Sequence, residues 1–177
     1  MKEYTISFVG LKLGKHHFDY KIDNAFFAFF DYDEFNDAHV DASLLLTKKA
    51  NMLELEFSIR GSVNINCDLT NLAYDQFVED KLALVVKFGE EFDEVNEELL
   101  IIPHGEHQIE VQQYLYEAIV LAVPAKRIHP KVKDGSMGAD ILKKLEELSP
   151  KATDERQNDG ETDPRWNKLK ELLNDKK

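Results

Sequence analysis

Residues 53–60 alternate strictly between apolar and polar side chains (LELEFSIR). A period of two residues is typical of a β-strand that buries one face and exposes the other. Val40–Thr47 also has strand composition, and the short segment Lys49-Ala50-Asn51 between the two runs predicts a hairpin turn. Because consecutive hairpins build antiparallel sheets, this pattern argues against a parallel sheet with a helix after each strand.

The remaining segments predict further strands and two helices. Asp23 or Asn24 is expected to cap a short aromatic helix that ends near Phe30. Apolar residues at near-helical spacing in Ile109–Val123 predict a second, largely buried helix, which Pro124 stops. We therefore expect an α+β fold, with a bent or partly closed, mostly antiparallel β-sheet and two covering helices. The further strands are expected at Tyr4–Lys12, His17–Ile22, Gln76–Phe88 and Leu99–Ile102.

Gly61 interrupts the apolar alternation, which Val63, Ile65 and Cys67 then resume. A glycine within a strand often marks a bulge or a bend, and we expect one here. Cys67 is in phase with the buried positions, so we predict that its thiol lies in the core. As the single cysteine of the chain, it also excludes an internal disulfide framework and a multi-cysteine metal site.

The charge of the chain is strongly negative and unevenly distributed. Its 177 residues contain 34 Asp and Glu and 22 Lys and Arg, for a net charge of −12. Residues 1–130 hold 23 acidic and 11 basic side chains, whereas residues 131–177 hold 11 of each. Such an acidic surface repels duplex nucleic acid and anionic membranes, and it favours a basic protein partner. The one basic cluster, Lys126–Lys133, is either an RNA contact or a solvated end of the second helix.

A change of composition places a domain boundary near Pro130, with an α+β domain over residues 1–130. Residues 131–162 have the composition of a flexible linker with one weak helix, Ala139–Leu148. Residues 163–174 predict a short amphipathic helix at the end of this tail, with Asp163 as its N-cap and Pro164 in its first turn. Its apolar stripe could pack on its own domain or dock in a partner groove. The stripe consists of Trp166, Leu169, Leu172 and Leu173.

No constellation of catalytic residues emerges from the sequence, and no cofactor or metal is expected. His104 and His107 form an H-x-x-H pair, but a catalytic metal site needs three or four convergent ligands, so a polar turn is the simpler reading. The alternative is a small-ligand-binding or metal-dependent enzyme domain that uses a pocket in the bent sheet, with His104, Glu106 and His107. No apolar run approaches the roughly 18 residues of a membrane span, and the N-terminus lacks signal-peptide features, so we expect a soluble, cytoplasmic protein.

Three segments, taken in order, resemble the YceD family of large-ribosomal-RNA-subunit accumulation proteins, in a Bacteroidetes-type version. The first is the strand and turn Gly61–Thr70, which includes Cys67. The second is Tyr116–Pro124, followed by His129. The third, residues 163–169 (DPRWNKL), is similar to a C-terminal Asp-Pro-Arg-aromatic signature of the family.

The resemblance implies a role in accumulation of large-subunit ribosomal RNA and in large-subunit assembly, without enzymatic activity. Many members have a second cysteine near the first, and some have a cysteine-rich knuckle. This chain has neither, so the resemblance implies no zinc site. We expect the acidic body to hold a basic ribosomal protein or assembly factor, with ribosomal RNA contacted indirectly and the terminal helix adding a second contact. The partner-binding residues implied by the resemblance are Cys67, Asp68, Thr70, Glu117, Pro124, His129, Asp163, Pro164, Arg165, Trp166 and Leu169.

Overall fold

The computed structural model describes residues 2–96 and 98–148. The chain divides into two compact units, Met1–Gly138 and Ala139–Lys177. The terminal helix predicted at 163–174, with its site residues, and most of the second unit lie outside the described residues. Within the described part, no helix is both long enough and apolar enough to cross a membrane.

Among the described residues, the first unit contains eight strands and three α-helices, and the second unit begins with a fourth helix. The helices are α1 (Asn24–Ala28), α2 (Gln112–Ala122), α3 (Pro130–Lys133) and α4 (Ala139–Leu148). The strands are β1 (Thr5–Ser7), β2 (Gly14–Ile22), β3 (Asp37–Lys48), β4 (Met52–Asn66), β5 (Ala73–Gly89), β6 (Asp93–Asn96), β7 (Leu99–Pro103) and β8 (Gln108–Glu110).

Six strands form the main sheet, in the order β2-β3-β4-β5-β7-β6. All neighbours are antiparallel except β5 and β7, which run parallel because β6 reverses the chain before β7 inserts beside β5. The α+β class and the mostly antiparallel sheet are thus confirmed. β6 lies within the acidic stretch 90–98, where no strand was predicted.

The predicted alternation gives the sheet one buried and one solvated face. Leu44, Phe57 and Leu82 lie opposite one another across β3, β4 and β5 on the inner face. Leu44 and Phe57 are almost completely buried. The alternate positions, including Glu56, are on the solvated face. α1 and α2 contact the sheet, and α2 packs mainly on β5.

Of the bulge or bend expected at Gly61, the bulge is not present. Gly61 pairs in regular register with Val40 of β3 and Val78 of β5, and β4 runs without interruption. A Cβ atom at this position would lie 2.2 Å from the carbonyl oxygen of His39 and 2.6 Å from the Cα of Val40. The glycine is therefore required by close approach of the neighbouring strand.

Two predictions near the ends of the domain were wrong in their extent. The strand expected over Tyr4–Lys12 is confined to β1, which pairs antiparallel with β8. β8 occupies the start of the segment predicted as helix, so α2 begins only at Gln112. The helix is also less buried than expected, because Leu121 is 79% exposed.

The first compact unit continues past Pro130 to Gly138. Residues 130–133 form α3, and Val132 is only 4% exposed. The first eight residues of the segment expected to be a linker, 131–138, are thus part of this unit. Ala139–Leu148 forms α4, at the bounds predicted for a weak helix.

Candidate functional site

Cys67 follows the last residue of β4 and begins a tight turn, residues 67–72, which we call the Cys67 turn. The amide of Asn71 donates to the carbonyl of Cys67 at 2.8 Å, and the amide of Cys67 donates to the carbonyl of Leu72 at 2.9 Å. Asn71 has a φ of 55°, a conformation that asparagine tolerates better than most residues. The side chain of Cys67 is 2% exposed, which confirms the predicted core thiol.

Residues 127–138, which we call the strap, pack against this turn. The amide of Asp68 donates to the carbonyl of Arg127 at 2.8 Å, and the amide of Arg127 donates to Oδ2 of Asp68 at 2.8 Å. The amide of His129 donates to Sγ of Cys67 at 3.3 Å. The His129 ring also lies 5.3 Å from the ring of Tyr74, centroid to centroid. The strap is therefore held at its first residues by both backbone and side-chain contacts.

The environment of the Cys67 thiol favours its ionised form. Burial raises the pKa of the thiol, but hydrogen bonds from the His129 amide, the Thr70 hydroxyl and the amides of Leu69 and Thr70 outweigh burial and lower the pKa to about 7. Because the thiol is buried, it is shielded from bulk reagents. This thiol therefore joins the strap to the Cys67 turn, and we call their contact the junction.

The structure brings four of the predicted site residues together at this junction, namely Cys67, Asp68, Thr70 and His129. Pro124 follows the end of α2, where it is exposed. Glu117 lies on α2 and lines a separate groove. Asp163, Pro164, Arg165, Trp166 and Leu169 lie outside the described residues.

The groove that contains Glu117, which we call the acidic groove, lies between α2 and strands β5, β6 and β7. It encloses about 340 Å³, and its floor is apolar, with Leu82 and Leu84 of β5 and Leu100 of β7. Three carboxylates surround the floor, each from a different element: Asp80 of β5, Glu94 of β6 and Glu117 of α2. The groove thus combines apolar surface with negative charge.

Tyr114 of α2 also lines the acidic groove, and the negative charge there affects the pKa of its hydroxyl. Burial and, to a smaller extent, the nearby carboxylates of Glu94 and Glu117 raise the pKa of its hydroxyl to about 12. Glu117 is itself held by Gln113, whose side-chain amide donates to it at 2.6 Å.

Sequence reasoning did not find the acidic groove, although one signal was present. Asp80 is in phase with Val78 and Leu82 of β5 and lies opposite Ile59 of β4, so it occupies an inward position. A carboxylate in a run of inward apolar residues marks a place where the core opens to water. Glu94 and Glu117 carried no comparable signal, because their approach depends on the pairing of β6 with β7.

The alternative hypothesis was a ligand-binding or metal-dependent pocket with His104, Glu106 and His107. The part of the chain that the structure describes contains no cluster of side chains placed to hold a metal ion. His104 and Glu106 lie in the turn after β7, where the amide of Glu106 donates to the carbonyl of Pro103 at 3.0 Å. The His104 ring lies beside Phe88. Among residues 2–96 and 98–148, no group of three or more His, Cys, Asp or Glu side chains is placed to hold a metal ion.

The chain is thus an α+β protein in which the strap packs against the Cys67 turn and the acidic groove lies beside α2. The family model of YceD, described as large ribosomal RNA subunit accumulation protein, matches residues 55–173. The chain belongs to this family, as its resemblance to the family predicted. No curated protein and no solved structure is similar enough to count as a match.

Proposed function

We propose that this chain is a non-enzymatic factor that supports accumulation of large-subunit ribosomal RNA and assembly of the large ribosomal subunit. The observation that carries this proposal is the family match over residues 55–173, which includes most of β4, the Cys67 turn, α2 and the strap. The matched region thus includes the residues that join the strap to the sheet.

The proposed mode of action is contact with a basic ribosomal protein or a large-subunit assembly factor. All of the net charge of −12 lies in residues 1–130, and this surface repels phosphate backbones while it attracts lysine- and arginine-rich proteins. Many proteins that assemble on ribosomal RNA are basic, so an acidic partner could hold such a protein before it binds RNA. Contact with ribosomal RNA would then be indirect.

In this proposal, the predicted partner-binding residues that the structure describes have two different roles. Cys67 is buried, so its part would be to hold the strap through the His129 amide. Asp68, Glu117 and Pro124 are exposed and are available for direct contact, as is part of His129.

Depletion of the protein tests the proposal directly. We expect cells depleted of it to contain fewer large ribosomal subunits relative to small ones in a sucrose-gradient profile, and to recover when the wild-type chain is supplied. A depleted strain with a normal subunit profile would contradict the proposed function. A pull-down with the tagged chain, with and without residues 160–177, should retain large-subunit proteins and would show what the tail adds.

Strong binding of the purified chain to bare ribosomal RNA at physiological salt would replace the indirect mode with a direct one. Electrostatic binding to phosphate weakens steeply with salt, so this measurement needs a salt series.

A further inference from the structure

We propose that the acidic groove is the docking site for an amphipathic helix of the protein partner, with leucine-like side chains on one face and lysine or arginine on its flanks. The class of partner rests on the function proposed above, whereas the location and the helical form of the contact come from the groove itself.

The inner face of the sheet is incompletely covered at the acidic groove. Leu82 is only partly buried and Leu121, on the wall, is 79% exposed, although both line the same groove as the buried Leu84 and Leu100. Removal of such apolar surface from water by a partner is favourable and would contribute to the free energy of binding.

The distribution of charge in the acidic groove favours a ligand with basic residues. Asp80, Glu94 and Glu117 line the groove from three different elements, and no basic residue lines it among the described residues. An apolar ligand alone would leave these carboxylates without a counter-charge, and an anionic ligand would be repelled. A segment with basic residues on both flanks of an apolar stripe satisfies both features.

The position of the apolar floor on the face of the sheet favours a helix over an extended segment. Leu82 and Leu84 line the groove from the inner face of the sheet, where they lie opposite Phe57 and Leu55 of β4. The hydrogen-bonding groups of a strand point within the plane of its sheet, so an extended segment lying over this face would find no strand edge with which to pair. A helix satisfies its own backbone hydrogen bonds and can lie in a groove by its side chains alone.

The helix α2 forms one wall of the acidic groove and sets the length over which a partner helix can make contact. The α2 residues that line the groove run from Gln113 to Leu121, which is eight steps of about 1.5 Å, or about 12 Å. A partner helix would therefore place two to three turns in the groove, with anchors at i, i+3 or i+4, and i+7.

A binding experiment tests the site with a defined probe. The probe is a fluorescein-labelled peptide of about 14 residues, made of leucine and lysine with leucine at i, i+3, i+4 and i+7, and its partner control replaces every lysine by glutamate. The full chain is compared with Glu94→Lys/Glu117→Lys. The matched control, Glu56→Lys/Glu79→Lys, makes the same change of charge on the solvated face of the sheet.

We expect the lysine peptide to bind the wild-type chain and the glutamate peptide not to bind. The groove variant should weaken binding by about tenfold or more, whereas the control variant should stay within about twofold. Leu121→Ser, at an exposed position, should weaken binding several-fold without affecting folding. Equal losses in the two charge-reversed variants, or no loss in either, would overturn the groove as the site.

A further variant separates a partner from the tail of the same chain as occupant. If Trp166→Asp/Leu169→Asp in the full chain raises peptide affinity by about tenfold, the terminal segment competes for the groove and the assignment to a partner is overturned. Unchanged affinity supports the partner.

Complementation separates failure of this inference from failure of the proposed function. In a depleted strain, the groove variant should fail to restore large subunits and the control variant should restore them. If both variants restore them, the groove assignment fails and the proposed function stands. If depletion leaves the subunit profile normal, the proposed function fails, and the peptide measurement alone decides whether the groove binds a basic helix.

Discussion

Gly61 sits where β3 passes so close to β4 that a side chain has no room. Gly61→Ala would place its Cβ atom against the backbone of His39 and Val40, and backbone atoms cannot move aside as a flexible side chain can. We expect this substitution to lower the free energy of unfolding by about 1–3 kcal/mol, as measured by urea denaturation.

The control is Gly105→Ala, in the turn after β7, where an added Cβ would meet nothing within 4 Å. We expect this change to stay within about 0.5 kcal/mol of wild type. Equal stability of the two variants would mean that β3 and β4 are not in this close register.

The Cys67 thiol makes stability depend on pH. Its pKa is about 7 in the folded protein against 9.0 for an ordinary thiol, so between these values the unfolded chain binds the additional proton and folding is favoured as pH rises. The contribution is present above the unfolded value and is lost as the pH falls through the folded value. It amounts to at most about 3 kcal/mol.

We expect the stability difference between wild type and Cys67→Ala to grow in favour of wild type from about pH 6 to about pH 9, as measured by denaturation at each pH. The thiolate absorbance should titrate near the pKa of the folded protein. Thr70→Val, which removes one donor to the thiol, should move that titration to higher pH. A midpoint near 9 in the wild type would contradict the proposed hydrogen bonds.

At the scale of elements, the strap is an integral part of the folded unit. Val132 of α3 is buried, whereas its neighbour Lys133 is exposed. We expect Val132→Ala to lower the free energy of unfolding by about 1–3 kcal/mol through lost burial and a residual cavity. Lys133→Ala, in the same short helix, should have almost no effect.

The measurement is urea denaturation, combined with the rate at which a thiol reagent modifies Cys67. Loosening the strap in Val132→Ala should speed modification, because the His129 amide covers the sulfur. If Val132→Ala were as stable as Lys133→Ala, residues 131–138 would behave as the linker that composition predicts.

Strand alternation made β3, β4 and much of β5 predictable, because the signal is local and repeats every second residue. β6 and β8 were missed, since each is short and gains its strand conformation from pairing: β6 pairs with the adjacent β7, and β8 pairs with the distant β1. Propensity carries little information in such segments, where tertiary pairing decides.

The candidate site was likewise predictable only where the sequence signal is local. The buried phase of Cys67 was predictable from Val63 and Ile65, but its contact with His129 joins positions 62 residues apart. The acidic groove depends on the insertion of β7 between β5 and β6, which no local pattern records. Only the inward carboxylate of Asp80 could have pointed to it.

At the scale of the whole molecule, the charge separates the two parts of the chain. Residues 1–130 carry −12, and residues 131–177 are neutral overall although they contain Arg165, Lys168 and Lys170. If the acidic body attracts a basic partner, the attraction is long-ranged and is screened by salt, because the Debye length shortens from about 10 Å at 0.1 M to about 3 Å at 1 M.

We therefore expect the immobilised full chain to retain basic large-subunit proteins in dilute buffer and to release them progressively from about 0.05 M to about 0.5 M NaCl. The readout is the amount of each protein retained, by mass spectrometry. Arg165→Gln/Lys168→Gln/Lys170→Gln should keep the same salt midpoint, because it leaves the charge of residues 1–130 unchanged. Retention that did not change with salt concentration, or that was lost with the tail variant alone, would place the contact in the tail and not on the acidic body.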